Sequence, residues 1–313
     1  MTDNTIKRKT SIGGQALIEG IMMRGPILTS IAVRKPNGEI ELKVDKTKSI
    51  SLKIGKLPFI RGMVGLVDAM RIGTDALMYS ASFYEEEEDE SNEKKGDGLM
   101  ERIFKDKTDR VMEVFALVLS VVVALVLFFF IPTTVTSLFK NYIKNSVALN
   151  LIEGLIRIAI FLTYISVVSL MEDMKRVFMY HGAEHKSIFC YEKGLDLTVE
   201  NVRVQPRLHP RCGTSFLFSV MLISIVVLSF FGWPNPWVRM LTRLAALPLI
   251  VGISYEVNKV LGRSDNPIAR ALVYPGLFIQ KIATVKEPTD DMIEVAITAL
   301  KEVIPENPEL DKW

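Results

Sequence analysis

The sequence predicts a mainly α-helical, polytopic membrane protein: about four transmembrane helices, a small N-terminal β-hairpin region and a C-terminal amphipathic helix. Three observations carry this expectation. Of the 313 residues, 49% are hydrophobic; long apolar runs follow residue 110; and Lys and Arg fall unevenly around those runs. A net charge of only +2 points to neither a nucleic-acid-binding surface nor an enzyme for strongly acidic substrates. Two cysteines, Cys190 and Cys212, are too few for a disulfide framework and read as free thiols or metal ligands. The basic N-terminal stretch lacks the unbroken apolar core and small-residue cleavage site of a signal peptide, so no segment is expected to be removed.

Four stretches have the length of a span: Val111 to Val135, Leu151 to Met171, Thr214 to Phe231 and Leu241 to Leu261. At 1.5 Å per residue, about 20 residues cross roughly 30 Å of hydrocarbon. No charge falls between Phe115 and Phe139, or between Thr214 and Arg239. The second stretch carries Glu153 and Arg157, spaced to pair across one helical turn near a membrane surface. The fourth is interrupted by Pro248 and Gly252 and carries Glu256.

Orientation follows from the flanking cations. Arg102, Lys105, Lys107 and Arg110 precede the first span, and Lys175, Arg176, Lys186, Lys193, Arg203, Arg207 and Arg211 follow the second. The link between the first two spans holds only Lys140 and Lys144, and the FGWPNPW turn holds none. The positive-inside rule therefore puts both termini and the central loop in the cytoplasm. Trp233 and Trp237 then mark the outer interface, where Arg239 and Arg243 are expected to snorkel.

The remaining chain divides into short soluble parts. Residues 1–54 hold a glycine-rich segment and a β-hairpin, signalled by apolar–polar alternation on both sides of Asn37-Gly38. Residues 55–110 hold an amphipathic helix and then an acidic tract, YEEEEDESNEKKGDG, which has no apolar residue to bury and reads as a solvated linker. Residues 111–262 form the transmembrane domain, with the loop 172–213 between its second and third spans. Residues 263–313 end in a helix whose Met292, Ile293, Val295, Ala296, Leu300 and Val303 recur at helical spacing, with Thr289 and Asp290 as cap candidates.

All three histidines fall within 29 residues: His181 and His185 in YHGAEHKS, and His209 in LHPRCGTS. Residues four apart share a helix face, so His181 and His185 can offer two imidazole nitrogens to one ion. With Glu184 the string is H-x-x-E-H, the pattern of the inverted zincins. In that chemistry two neutral histidines hold a divalent ion, typically zinc, and the glutamate is the general base and not a ligand. A catalytic ion needs a third protein ligand and an open fourth position; His209, Cys212 and Glu256 are the candidates. The plain alternative is a pair of surface histidines on an interfacial helix, against which the clustering of H-x-x-E-H with H-x-x-C weighs. Cys190 reads as a small core residue. Glu256 has a competing use, pairing with Lys259 or with Arg203, Arg207 or Arg211.

The segment SIGGQALIEGIMMRGP matches no nucleotide-binding motif. Its glycines point to tight turns or close backbone approach, in a structural turn leading into the hairpin. A functional reading has Glu19 and Arg24 reaching the metal pocket.

GGQALIEGIMMRGP, YHGAEHKSIFCYE, HPRCGTSFLF, GISYEVNK, YPGLFIQK and EVAITAL together resemble the YqhQ-like family of bacterial membrane proteins, over nearly the whole chain except the acidic tract. The resemblance implies a multi-span protein of the cytoplasmic membrane and a predicted metal-dependent enzyme. In it His181, Glu184, His185, His209 and Cys212 stand at the family's motif positions. Three functions are then open. The first is a metal-dependent hydrolase at the cytoplasmic membrane surface, acting on a peptide or lipid-linked substrate. The second is a scaffold or assembly factor in which His181, His185, His209 and Cys212 close a structural metal site. The third is a small transporter coupled through Glu256, against which the absence of an internal repeat weighs.

Overall fold

Alternation around Asn37-Gly38 does build a hairpin, and the glycine-rich segment before it builds a second one. The computed structural model describes residues 8–48, 57–92, 115, 118–264 and 266–312. Four strands, β1 (Gly13–Leu17), β2 (Gly20–Arg24), β3 (Leu28–Arg34) and β4 (Ile40–Lys46), form an antiparallel sheet in the order β1-β2-β3-β4. The expected turn in the glycine-rich segment is thus corrected to a two-stranded unit, with Leu17 opposite Gly20 and Gly14 opposite Met23. Glu19 closes its two-residue link with φ at 48°, and Gly38 turns the second hairpin with φ at 88°, where a glycine has no Cβ to strain.

Nine helices accompany the sheet among the described residues: α1 (Ile60–Asn92), α2 (Val118–Ser137), α3 (Ser146–Val168), α4 (Glu172–Glu192), α5 (Val199–Arg203), α6 (Gly213–Ser229), α7 (Pro236–Arg263), α8 (Pro267–Ile279) and α9 (Asp290–Val303). The chain forms two compact units. The first comprises Met1–Glu85, Ile165–Val220 and Val251–Trp313, and the second Glu86–Tyr164 and Met221–Ile250.

In the first unit the two faces of the sheet serve different helices, as a period of two requires. Ile21, Met23 and Ala32 join Tyr180, Ala183, Ile293, Ala296 and Leu300 in one core, against α4 and α9. Leu17, Met22 and Ile31 turn the other way, onto Ile72 and Ala76 of α1. A 14-residue helix such as α9 is marginal alone. Each fully buried aliphatic on its inner stripe contributes roughly 1.5–3 kcal/mol, and that burial holds it. Thr289 takes the N-cap position without a side-chain cap, and its neighbour Asp290 accepts from Arg203.

α1 runs on to Asn92, so the first part of the acidic tract is helical and not a structureless linker; glutamate is a good helix former once a helix is under way. Residues 93–114, with the cations expected before the first span, lie outside the described residues, as do 1–7.

The second unit is built mainly from apolar helical segments. Val118–Ser137, Ser146–Val168 and Trp237–Arg263 are each long and apolar enough to cross a membrane, and apolar side chains such as Val121, Leu155 and Leu241 point outward. The third predicted span is a shorter apolar helix, α6, of 17 residues, about 26 Å at 1.5 Å per residue. Its fit to a bilayer is correspondingly tight. Glu153 pairs with Arg157 at 3.0 Å, as the spacing predicts, but Arg243 does not simply snorkel: it is buried, and both of its terminal nitrogens meet the Glu153 carboxylate. Gly154 lets Ile225 pack directly on α3.

Gly182, inside the histidine motif, faces the carbonyl of Lys286, and a Cβ there would collide with that backbone oxygen. The segment after Thr284 is docked at this point, with the Lys286 N–H donating to Phe178 O at 2.9 Å. Gly182→Ala is therefore expected to destabilise the first unit by about 1–3 kcal/mol, the range for overpacking against atoms that cannot step aside. Thermal unfolding of the detergent-solubilised variant checks it; an unchanged midpoint would contradict the close approach.

Candidate metal centre

H-x-x-E-H lies in the second half of α4 and presents His181 and His185 one turn apart, their ring centroids separated by 4.4 Å. Each ring is oriented from behind. The Nδ1–H of His181 donates to Thr284 O at 2.9 Å, and that of His185 donates to Arg207 O at 2.6 Å. A carbonyl only accepts, so both rings carry their proton on Nδ1 and keep a lone pair on Nε2, the arrangement by which metal-ligating histidines are set. Arg207 is held in turn by Glu287, at 3.6 Å, which also takes Lys186.

Cys212 ends the segment that leads into α6, and its Sγ lies 3.2 Å from His181 Nε2. One ligand atom each from His181, His185 and Cys212 falls within 4.8 Å of the others. Around a tetrahedral zinc the corresponding separations are about 3.4–3.8 Å, so the three donors close on an ion through side-chain shifts of about 1 Å. Of the three candidates for the third ligand, the fold brings forward Cys212.

The electrostatics suit ligation. Burial pushes the His185 pKa down to about 4, keeping the ring neutral. Burial opposes the Cys212 thiolate, yet the thiol is drawn below its ordinary value, with the hydroxyl and backbone of Thr214 favouring the thiolate. Glu184 is driven up to about 7 by burial, against the opposing pull of His181 and the Gly14 N–H. Gly14 N–H donates to Glu184 Oε1 at 3.1 Å, while Oε2 is buried and has no hydrogen-bond partner among the described residues. A cavity of about 390 Å³ opens here, lined by Gly13, Gly14, His181, Glu184, His185 and Cys212 among others. A soft thiolate, two pre-set imidazoles and an unsatisfied carboxylate oxygen in one cavity fit a divalent transition metal.

The other candidates are held by other partners. His209 lines the same cavity, its ring 5.5 Å from that of His185, but its Nδ1 accepts from Arg211 N at 3.3 Å and its Nε2 faces Glu192 at 3.6 Å. Arg211 lines the cavity but is bound to Glu192. Glu256 is not with the histidines: Arg61 holds it, Nε to Oε1 at 2.6 Å. Gly62 and Gly252 let the start of α1 approach α7 closely enough to deliver that arginine. Glu19 and Arg24 also stay out of the cavity. Glu19 binds Arg176 and accepts from Tyr180 OH at 3.2 Å, and Arg24 pairs with Asp68 at 2.7 Å. Cys190 is a buried core residue, as expected.

Two parts of the site escaped the sequence reading. Gly14 touches Glu184 so closely that a Cβ would lie 2.9 Å from its Cδ; the glycine density announced close approach but not the partner. Glu192 anchors Thr10, Arg211 and His209. It stands seven residues after His185 and so on the same helix face, a signal that was available.

Residues 57–306 match a family described as "Protein of unknown function (DUF1385)". The chain is also 36% identical over 300 residues to the "Uncharacterized protein YqhQ" of Bacillus subtilis (strain 168), covering 93% of this chain and 92% of that protein. No solved structure matches it.

Proposed function

The chain belongs to the DUF1385 family, and from that premise we propose that it is a membrane-embedded, metal-dependent hydrolase of the bacterial cytoplasmic membrane. In this reading α6 is a fourth span, both termini are cytoplasmic, and the cavity opens at the cytoplasmic membrane surface. The observation that carries it is the convergence of His181 Nε2, His185 Nε2 and Cys212 Sγ beside the unsatisfied Oε2 of Glu184. Three protein donors leave an ion with an open position, the hallmark of a catalytic site. The contacts of His209 with Arg211 and Glu192 favour three ligands over a closed four-ligand structural site. The pairing of Glu256 with Arg61 weighs against the transporter reading.

Zinc is the ion we favour; when bound, it supplies Lewis-acid polarisation of the scissile bond and activates water at neutral pH. His181, His185 and Cys212 would hold it, with the carbonyls of Thr284 and Arg207 fixing the two rings. Glu184, steadied at Oε1 by Gly14, takes the proton of the attacking water at Oε2 and passes it to the leaving group. The substrate class we favour is an extended peptide. β1 is an edge strand whose backbone from Gly13 to Ala16 lines the cavity, and such an edge has N–H and C=O groups left over for a further strand. A lipid-linked substrate is the alternative.

The test is metal-dependent cleavage of a mixed peptide library by the full chain in proteoliposomes. A chelator is expected to abolish cleavage and zinc to restore it. Cys212→Ser is expected to lower metal affinity by more than the roughly 10–100-fold typical of losing an outer-shell partner. A parent protein with no stoichiometric transition metal overturns the reading.

A further inference from the structure

We infer that the second unit holds a second binding site, for a phosphate-class anion, built on Arg239 and Arg243, and that the headgroup of an anionic lipid supplies the anion. The argument begins with charge. Among the described residues Arg157 and Arg243 meet one carboxylate, that of Glu153, which is 1% exposed, and Arg239 stands one turn before Arg243 on α7. Glu153 is fully used: its two oxygens take Arg243, and Oε1 also takes Arg157 and the Thr133 hydroxyl. Arg157 reaches a further acceptor, Phe128 O at 2.9 Å.

Nothing comparable is left for Arg239. Its side chain lies over the Trp233 ring at 3.9 Å, the residue is 3% exposed, and its Nε and Nη1 meet no hydrogen-bond acceptor among the described residues. Ring contact compensates part of a guanidinium's charge but none of its N–H groups. Glu153 answers Arg157 and Arg243 and makes no ion pair with Arg239, and a buried cation without its counter-ion is costly. Nε and Nη1 lie on different edges of the guanidinium, so each is left to donate singly, and a phosphate-class anion offers charge and acceptors to such a group.

Position selects the source of the phosphate. Thr133 lies four residues before the end of α2, Glu153 seven residues into α3, and Arg243 six residues beyond Trp237. At 1.5 Å per residue these positions lie about 6–10 Å in from the helix ends, in one leaflet, where an arginine side chain reaching outward can meet a headgroup phosphate. The three ends belong together: α2 leads into α3 through a short link, and Asn150 of α3 donates to Phe231 O, just before α7, at 3.0 Å. Beside Arg243 a cavity of about 140 Å³ is lined by Phe129, Phe130, Thr133, Trp237 and Met240. It is apolar and aromatic except at its charged end, as suits a lipid whose phosphate meets arginine while its glycerol and first methylenes meet rings.

The experiment uses the full chain in nanodiscs. Phosphatidylcholine alone is compared with phosphatidylcholine containing phosphatidylglycerol, and with phosphatidylcholine plus inorganic phosphate in the buffer. Bound lipid is read by native mass spectrometry after transfer to detergent, and the unfolding midpoint is read in each disc. The expected result is selective retention of phosphatidylglycerol, a higher midpoint in its presence, and no effect of free phosphate. Arg239→Gln is expected to weaken that retention by at least about fivefold, the effect of one interfacial cation. Equal retention of both lipids by the parent, with no midpoint difference, overturns the inference without any variant having to fold. A midpoint raised equally by inorganic phosphate overturns the lipid assignment and makes the site one for a soluble anion.

Discussion

Glu184→Gln is expected to retain the metal and the fold and to lose hydrolytic activity by roughly a hundred- to ten-thousand-fold, the contribution of a positioned general base. The substitution is nearly isosteric. The amide oxygen still accepts from Gly14 N–H, so the bond now made to Oε1 at 3.1 Å survives. What changes is the second atom, now a buried oxygen with no hydrogen-bond partner among the described residues, which becomes an NH₂ that donates and cannot take a proton. A structural carboxylate would give the opposite pattern, a lower unfolding midpoint with little effect on turnover. Metal content, unfolding midpoint and cleavage rate, measured on one preparation, separate the two. Loss of metal from Glu184→Gln would show the carboxylate to be a ligand instead.

Glu153→Gln is expected to carry the largest cost in stability, about 3–5 kcal/mol, the penalty for removing one member of a buried ion pair. Glu153 is the carboxylate that Arg157 and Arg243 share, and Arg243 itself is only 5% exposed. An amide accepts at one oxygen and brings no charge, so both guanidinium groups are left facing each other inside a helical bundle. The double variant Glu153→Gln/Arg243→Gln removes both members and is expected to recover much of the loss, and the difference isolates the pair. A single variant that melts with the parent would show that the carboxylate is not the hub of the cluster. Activity of surviving Glu153→Gln protein is expected to be unchanged, since no donor of the metal centre lies in that unit.

How much of this was legible follows from the range of each interaction. His181, Glu184 and His185 sit on one turn of one helix, and a pattern of that length is fixed by helical geometry alone. The apolar stripe of α9 and the hairpin at Asn37-Gly38 are equally local, and both stand where the sequence puts them. The third ligand is different. His209, Cys212 and Glu256 were indistinguishable by residue type, and only the fold separates Cys212, at 3.2 Å from His181, from Glu256, which Arg61 reaches across 195 positions. The strands GGQAL and GIMMR were hidden because glycine is depleted in strands, and here it serves close approach to α4. Arg243 was misjudged because Glu153 and Arg157, four apart, looked self-sufficient, whereas the carboxylate has room for a partner 90 residues away.

The central claim, that two imidazoles and one thiolate share an ion beside Glu184, is tested most directly by replacing the native metal with cobalt(II) and recording the absorption spectrum of the parent and of Cys212→Ser. The account predicts stoichiometric cobalt in a tetrahedral field, with an intense thiolate-to-metal charge-transfer band that disappears when Cys212 becomes serine. A parent protein that takes up no stoichiometric cobalt, or whose spectrum is indifferent to Cys212, would contradict it.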